Sequence, residues 1–213
     1  MQNIPVITEN LLGIKRVKGT HQKAKKPILI NDLKEIINAI NKDKNQINRS
    51  KNKALLLIGF AGGFRRSELV AIFLDDIEFV PEGVKIFVRR SKTDQSGEGM
   101  TKGIPYFSNP DYCPVISLKN WIQEGKINSG KIFDMSDKNV ALTIKKYVAI
   151  TGLDQSKYSG HSLRSGFATS TAELGAEERS IMAMTGHKTT QMVRRYIKEA
   201  NLFKNNALNK IKI

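Results

Sequence analysis

The sequence predicts a mainly α-helical domain with one small antiparallel β-sheet, an α+β arrangement. Hydrophobic residues make up 40% of the 213-residue chain, which is enough for the packed core of one sizeable domain. Most segments repeat apolar residues at helical spacing, and glycines separate them. One pair of segments near the middle of the chain instead has the alternation and turn residues of a β-hairpin.

Residues 1–27 are expected to form a basic linker or tail ahead of a domain at 28–213. The stretch "IKRVKGTHQKAKKP" is rich in lysine, poor in large apolar residues and closed by Pro27. Such a segment is either a solvated linker or an arm that contacts phosphates, and both interpretations stay open.

The first elements of the domain are predicted to be two helices. "LINDLKEIINAINKD" has apolar residues at helical spacing, with Asn31 as its expected cap. "ALLLIGFAGG" is apolar on all sides, which is typical of a core helix, and Gly62 and Gly63 are expected to end it. "RSELVAIFLDDI" is then predicted to be a short helix that runs into a loop.

The hairpin and a helical second half follow. "GVKIFVRR" alternates as a strand does, "SKTDQSGEGMTKG" is a turn-rich connector, and "GIPYF" is the expected return strand. Five later segments have helical spacing: "VISLKNWIQEG", "KNVALTIKKYVAIT", "HSLRSGFATSTAELG", "EERSIMAMTG" and "TTQMVRRYIKEANLF".

The charge of the chain narrows the choice of partner. Lys and Arg number 35 against 20 Asp and Glu, a formal net charge of +15, which favours a polyanion such as nucleic acid. A membrane surface is the second candidate, but no apolar run approaches the roughly 18–20 residues of a spanning helix. The start of the chain lacks the pattern of a secretory signal, and one cysteine, Cys113, allows no internal disulfide. We therefore expect a cytoplasmic, nucleoid-associated protein.

Two arginines follow the glycine pair, in "GGFRRSELVAI". A charged side chain beside an apolar helix is costly to bury unless it is paired. Glu68 comes three residues after Arg65, which is neighbour spacing on a helix, and can orient it. A structural salt bridge and a functional arginine both fit this pattern.

The segment "SGHSLRSGFATS" has His161 and Arg164 three residues apart at the start of a helix. Helix N-termini present free N–H groups to anions, and both side chains can donate hydrogen bonds to a phosphate. The structural alternative is a capped helix with a satisfied core histidine.

The third motif is "TGHKTTQMVRRYI", in which Tyr196 comes nine residues after His187. A tyrosine on such an amphipathic helix is usually a core residue, and the surrounding segment is also compatible with a helix–turn–helix DNA-binding unit. Lys92, in "RRSKTDQSGEG", follows the first hairpin strand, where a lysine is usually just solvated.

Taken together, these residues resemble the tyrosine recombinase family, which includes the phage integrases and the Cre- and Xer-type enzymes. "GFRRSEL" resembles the first box of that family, "HSLRSGFAT" the second and "TGHKTTQMVRRYI" the third. The resemblance covers about residues 30–200 and implies the fold of the family's catalytic domain. Phe64, Ser165 and Gly166 depart from the residues that many members carry, but none of them is a main catalytic position. The implied catalytic series is Arg65, Lys92, His161, Arg164, His187 and Tyr196, with Glu68 in support.

The resemblance implies a site-specific DNA recombinase or integrase that cleaves and rejoins duplex DNA through a 3′-phosphotyrosyl intermediate. Tyr196 would be the nucleophile, and Arg65 and Arg164 would hold the non-bridging phosphate oxygens. His161 would accept the tyrosine proton or support its transfer.

The remaining roles follow from the same resemblance. His187 would donate a hydrogen bond to the phosphate, and Lys92 would protonate the departing 5′-oxygen, with Lys102 in "MTKGI" as its competitor. No metal ion, ATP or other cofactor is implied, because the phosphotyrosyl link keeps the bond energy for rejoining and the sequence has no carboxylate cluster of the kind that metal nucleases use.

Double-stranded DNA is the implied partner. The chain is expected to be a monomer alone and, as part of the full-length protein, a tetramer on DNA, because its end, "NNALNKIKI", resembles a terminal helix that docks on a neighbouring protomer. We expect an excised catalytic domain or a naturally short relative, without the family's N-terminal DNA-gripping domain. Two rival functions remain: a non-enzymatic DNA-binding module, and a type IB topoisomerase that relaxes DNA without exchanging partners.

Overall fold

The computed structural model describes residues 25–90, 97–187, 189–200 and 207–211. Its helices are α1 (Ile30–Asn41), α2 (Gln46–Ala61), α3 (Arg66–Leu69), α4 (Pro114–Glu124), α5 (Asp137–Ile150), α6 (Ser162–Glu173), α7 (Glu178–Thr185) and α8 (Thr190–Ala200). Its strands are β1 (Ile77–Val80), β2 (Gly83–Val88) and β3 (Met100–Pro105), and short 3₁₀ helices lie at Leu74–Asp76, Pro110–Tyr112, Gln155–Lys157 and Ala207–Lys210. The mainly α class with a small antiparallel sheet is confirmed.

Helix α2 forms the centre of the domain. Residues 54–61 are buried, as their uniformly apolar sequence predicts, and the helix packs against α1, α4 and α6. The helix ends at Ala61, and Gly63 follows with φ of 53°, in the left-handed region that glycine adopts without steric cost. This turn brings the chain to Arg65.

The sheet has three antiparallel strands in the order β1-β2-β3. The predicted hairpin is β2–β3, and the inward-facing Val84, Ile86 and Val88 are buried as their alternation predicts. Strand β1 is an addition that the sequence did not predict, since its four residues are too few to display a pattern. Strand β3 begins at Met100, before the predicted return strand, and its alternation turns Lys102 and Ile104 inward.

The predicted cap of α1 is wrong, because Asn31 lies inside the helix and Leu29 precedes it. Long-range packing fixes this start: the N–H of Ile28 donates to the carbonyl of Ser162 at 2.9 Å, and Ile28 is fully buried. Gly166 makes the approach possible, since a Cβ there would overlap the carbonyl of Ile28.

Helices α6, α7 and α8 share a second small core of Ala168, Ala172, Ile181 and Val193, and Tyr196 packs at its edge. Elsewhere, Cys113 is fully buried at the start of α4, and the N–H of Phe107 lies 3.4 Å from its sulfur. In the part of the chain that the structure describes, no helix is both long enough and apolar enough to cross a membrane.

Candidate active site

Arg65 stands at the junction between the glycine turn and α3, where Glu68 fixes it. The backbone N–H of Arg65 donates to Glu68 Oε2 at 2.9 Å, and its Nη1 lies 2.6 Å from Oε1. Burial opposes ionisation of Glu68, but these bonds from Arg65 and the charge of Lys102 hold its pKa below the ordinary value. The carboxylate therefore stays charged and orients Arg65, as the three-residue spacing predicts.

Lys102 reaches the same cluster from β3. Its side chain is fully buried, its Nζ donates to the carbonyl of Gly62 at 2.7 Å, and Glu68 Oε2 lies 4.0 Å away. The ammonium also lies 4.3 Å from the centroid of the Phe64 ring. Burial is the main cause that lowers the pKa of Lys102 to about 7.

Arg164 enters the cluster from the first turn of α6. Its side chain is buried, with Nη1 donating to the carbonyl of Gly63 at 2.8 Å and Nη2 lying 3.1 Å from His187 Nε2. Burial, followed by the charge of Arg65, lowers the pKa of Arg164 to about 10, so the guanidinium stays protonated at neutral pH.

Thr185, at the end of α7, selects the tautomer of His187. The Thr185 hydroxyl donates to the carbonyl of Ile181 at 2.6 Å, and its Oγ1 lies 2.7 Å from His187 Nδ1. With its one proton given to Ile181, Thr185 accepts from Nδ1–H, which leaves Nε2 to accept from Arg164. Burial, then the charges of Arg164 and Arg65, lower the pKa of His187 to about 4, consistent with a neutral ring.

His161 lies just before α6, on the surface rather than in the core. Although it is exposed to solvent, protein atoms crowd its ring, and this partial burial, followed by the charges of Arg164, Arg65 and Arg66, lowers its pKa. His161 is therefore not the buried core histidine that the structural alternative for this motif required. The lowered pKa favours the neutral imidazole, the form that can accept a proton.

Tyr196, on α8, faces the same region. Its ring centroid lies 6.1 Å from that of His187, with 34° between the planes, and its phenol is close enough to affect the ionisation of Arg164. Tyr196 and His161 both line a cleft of about 360 Å³, together with Lys25, Lys26, Thr169 and Arg195. Tyr196 thus packs against the second small core, as a tyrosine on an amphipathic helix usually does, and also lines this cleft.

Five of the six residues of the predicted series therefore meet at one place, although they come from the α2–α3 turn, α6, the α7–α8 turn and α8. Lys92, the sixth, lies outside the described residues. The sequence did not single out Thr185, whose signal is its position two residues before His187 at a helix end. Within the described ranges, no group of three or more His, Cys, Asp or Glu side chains is arranged to hold a metal ion.

The profile of the phage integrase family matches residues 28–202, most of the chain. The chain belongs to the phage integrase family. A similar protein is the integrase/recombinase XerD homolog of Selenomonas ruminantium, which is 44% identical over 211 residues. The match covers 93% of this chain and 61% of that relative. This integrase-family chain therefore spans about three fifths of that relative's length.

Solved structures share the fold of this integrase-family chain. The XerH site-specific recombinase bound to palindromic difH substrate, a post-cleavage complex, matches with a TM-score of 0.67 at 18% identity, over 86% of this chain and 54% of that one. The catalytic domain of bacteriophage HP1 integrase matches with a TM-score of 0.55 at 17% identity, over 88% of this chain and 99% of that one. The expected catalytic-domain fold is confirmed.

Proposed function

We propose that residues 28–213 are the catalytic domain of a site-specific DNA recombinase, and that residues 1–27 are a basic linker. The enzyme cleaves and rejoins duplex DNA through a 3′-phosphotyrosyl intermediate. The observation that carries the proposal is the meeting of two guanidinium groups, Arg65 and Arg164, with His187 and Tyr196 beside the cleft that His161 lines.

The cations are suited to a phosphodiester. Arg65 and Arg164 hold the two non-bridging oxygens, because a guanidinium is planar, always charged and able to bond oxygens in a fork. Both are held before any substrate arrives, by Glu68 and by the Gly63 carbonyl respectively. Donors fixed in advance stabilise the charge that grows on the phosphate in the transition state without reorganising.

The chemistry then needs a nucleophile, a base and an acid. The Tyr196 oxygen attacks phosphorus while the bond from phosphorus to the 5′-oxygen breaks. His161 accepts the phenol proton, and Lys92 gives a proton to the departing 5′-oxygen. Rejoining reverses each transfer, so no ATP is consumed.

His187 has two successive tasks in this scheme. Its Nε2 accepts from Arg164, so it orients that guanidinium in the free protein. The donor role that the family resemblance implies requires this bond to be exchanged for one to the phosphate, with His187 protonated or in its other tautomer.

The test is covalent capture on DNA. The chain is incubated with a pool of nicked duplexes that have randomised centres, and protein–DNA adducts are isolated under denaturing conditions and sequenced. We expect an adduct that disappears in Tyr196→Phe and falls by about 10²-fold or more in Arg164→Ala, since the charge on the phosphate loses a fixed donor. Tyr106→Phe, which removes a phenol that accepts from Lys119, is the matched control and should leave the adduct unchanged.

Three outcomes would contradict the proposal. An adduct that survives in Tyr196→Phe assigns the nucleophile elsewhere. DNA binding without any adduct in the wild type favours the non-enzymatic module, and relaxation of supercoiled DNA without strand exchange favours the topoisomerase.

Double-stranded DNA is the proposed partner of the cleft. The net charge of +15 and the basic residues at the cleft, Lys25, Lys26 and Arg195, match a polyanion. Lys25 and Lys26 are themselves held there, since Lys25 Nζ donates to the carbonyl of Ser156 and the Lys26 N–H to that of Lys157, each at 2.7 Å. This anchoring supports the phosphate-contacting interpretation for the end of the basic segment.

The proposed assembly is a monomer in solution and a tetramer on DNA in the full-length protein. An apolar groove of about 410 Å³ supports it, lined by aromatic and aliphatic side chains that include Phe60, Phe107, Phe167 and Met184. The C-terminal segment of a neighbouring copy is the proposed occupant, because its Leu208 and Ile211 are 67% and 58% exposed in the single chain.

A further inference from the structure

Lys102 is a fully buried lysine that the proposed chemistry does not use. Strand β3 pairs with β2 so that Lys102 lies opposite Ile86, on the face of the sheet that packs inward. A buried ammonium is expensive, and apolar side chains that replace both members of a buried ion pair often stabilise a fold at least as well. Stability alone therefore does not account for a lysine at this position.

Among the described residues, the side chain of Lys102 contacts the turn and the helix that carry Arg65. Its Nζ donates to the carbonyl of Gly62, and the next carbonyl, that of Gly63, accepts from Arg164. Two cations from different elements, β3 and α6, thus hold successive peptide groups of one turn. The turn leads directly into Arg65.

Glu68 extends this arrangement to the side chain of Arg65. Its Oε1 binds Arg65 Nη1, while its Oε2 accepts from the Arg65 N–H and lies 4.0 Å from Lys102 Nζ. Lys102 therefore contacts the backbone that precedes Arg65 and the carboxylate that orients it. A shift of the lysine would therefore change the positions of both guanidinium groups, those of Arg65 and Arg164.

We propose that Lys102 is a positioning residue for DNA cleavage, whose ammonium holds the Gly62–Gly63 turn and Glu68 so that Arg65 and Arg164 converge on one phosphate. This role rests on the proposed function and extends it. It differs from proton donation to the leaving oxygen, because Nζ is buried and already bonded to a carbonyl.

The charge state of Lys102 makes the role sensitive to pH. Within the described residues it faces Arg65 and Glu68 at the start of α3, Arg164 on α6 and His187 after α7. Burial and the two arginines lower the pKa of Lys102 to about 7, although Glu68 opposes them. Above that pH, the neutral amine still donates to Gly62 but no longer attracts Glu68. A bound phosphate adds negative charge nearby and favours the ammonium.

The experiment measures single-turnover adduct formation by the full chain on a duplex selected from the randomised pool. We expect Lys102→Met to form the adduct about 10- to 100-fold more slowly at saturating DNA, the range expected when a reacting group is displaced by about an ångström. Its melting temperature should fall, because the Gly62 carbonyl loses its donor and Glu68 loses one of its cations, so the rates are compared at a temperature at which both chains are folded. Lys102→Gln, which retains a donor without the charge, should also be slow.

Lys85→Met is the matched control. Lys85 pairs with Gly103, the neighbour of Lys102, but its exposed side chain binds Glu78 on the outer face of the sheet. Its adduct rate at saturating DNA should equal that of the wild type. With subsaturating DNA, the ratio of the wild-type to the Lys102→Met rate should fall as the pH rises from about 6 to 9, since only the wild type loses a proton at Lys102.

A duplex with sulfur in place of the bridging 5′-oxygen separates positioning from acid catalysis, because a thiolate leaves without being protonated. This substrate should restore the rate of adduct formation in Lys92→Ala but not in Lys102→Met. If the adduct rate of Lys102→Met were restored, Lys102 would be the acid and the proposal would be wrong. An adduct rate and a pH dependence in Lys102→Met equal to those of the wild type would also overturn it. A wild type that forms no adduct would instead refute the proposed function, and this role with it.

Discussion

At the scale of single residues, the site is a cluster of cations held in place by backbone carbonyls. Arg164 is bound to Gly63 and Lys102 to Gly62, and the buried carboxylate of Glu68 lies between Lys102 and Arg65. Such an arrangement attracts an anion. Burial, together with the neighbouring positive charges, also lowers the pKa values of Lys102, Arg164 and His187.

The unfolding free energy should fall on acidification because of His187. Its pKa is about 4 in the folded chain against an ordinary 6.5, so between these values the unfolded chain binds a proton that the folded chain does not. Stability from this group is complete above pH 6.5 and decreases as the pH falls towards 4. Urea unfolding of the wild type and of His187→Gln across this range measures the difference, and the variant should have the flatter profile. Equal slopes for the two chains would contradict the assignment of a neutral, partly buried His187.

At the scale of elements, the docking of the segment before α1 onto α6 determines how the chain enters the domain. Ile28 binds Ser162 through its backbone and lies against Gly166, so the start of α1 is determined by a helix more than a hundred residues later. The same helix carries Arg164 on its first turn. The structural glycine and the functional arginine are thus two residues apart.

Gly166→Ser should destabilise the fold by about 1–3 kcal/mol, the usual cost of overpacking a tight contact. The new Cβ would meet the carbonyl of Ile28, and one of the two segments would have to move. Denaturant unfolding measures the loss. Gly103→Ser is the control, because a Cβ at Gly103 has no atom within 4 Å, and its stability should change by less than about 0.5 kcal/mol. A Gly166→Ser chain as stable as the wild type would refute this account of the contact.

Local and long-range parts of the fold were not equally predictable. The Arg65–Glu68 pair is encoded by three-residue spacing, and the core helix and hairpin by their apolar patterns. The contact between Arg164 and His187 joins residues 23 apart, and the inward direction of Lys102 depends on the register of β3, so neither has a local signal. Family resemblance, rather than spacing, brought the distant motifs together.

At the scale of the whole molecule, the apolar groove and the exposed C-terminal residues are complementary surfaces of one chain. Leu174, 76% exposed, lies at the groove, and Leu208 and Ile211 are exposed on the tail. In the assembly that we propose, copies bound side by side on DNA exchange these surfaces in a closed ring.

The double variant Leu208→Asp, Ile211→Asp should therefore weaken tetramer formation on DNA without changing the mass of the free chain. Sedimentation velocity in the full-length protein, with and without duplex DNA, makes the comparison. Leu142→Asp, at a residue on α5 that is also well exposed, is the control and should still assemble. Tetramers that persist in the double variant would exclude the tail as the occupant of the groove.

The burial of Cys113 has a practical consequence for spectroscopy. It is the single cysteine of the chain, and it is fully enclosed in the fold. A maleimide dye therefore finds no accessible thiol on the native protein. Met192→Cys, at a residue 54% exposed and one helical turn before Tyr196, would give a uniquely labelled chain whose fluorescence follows the helix of the proposed nucleophile as DNA arrives.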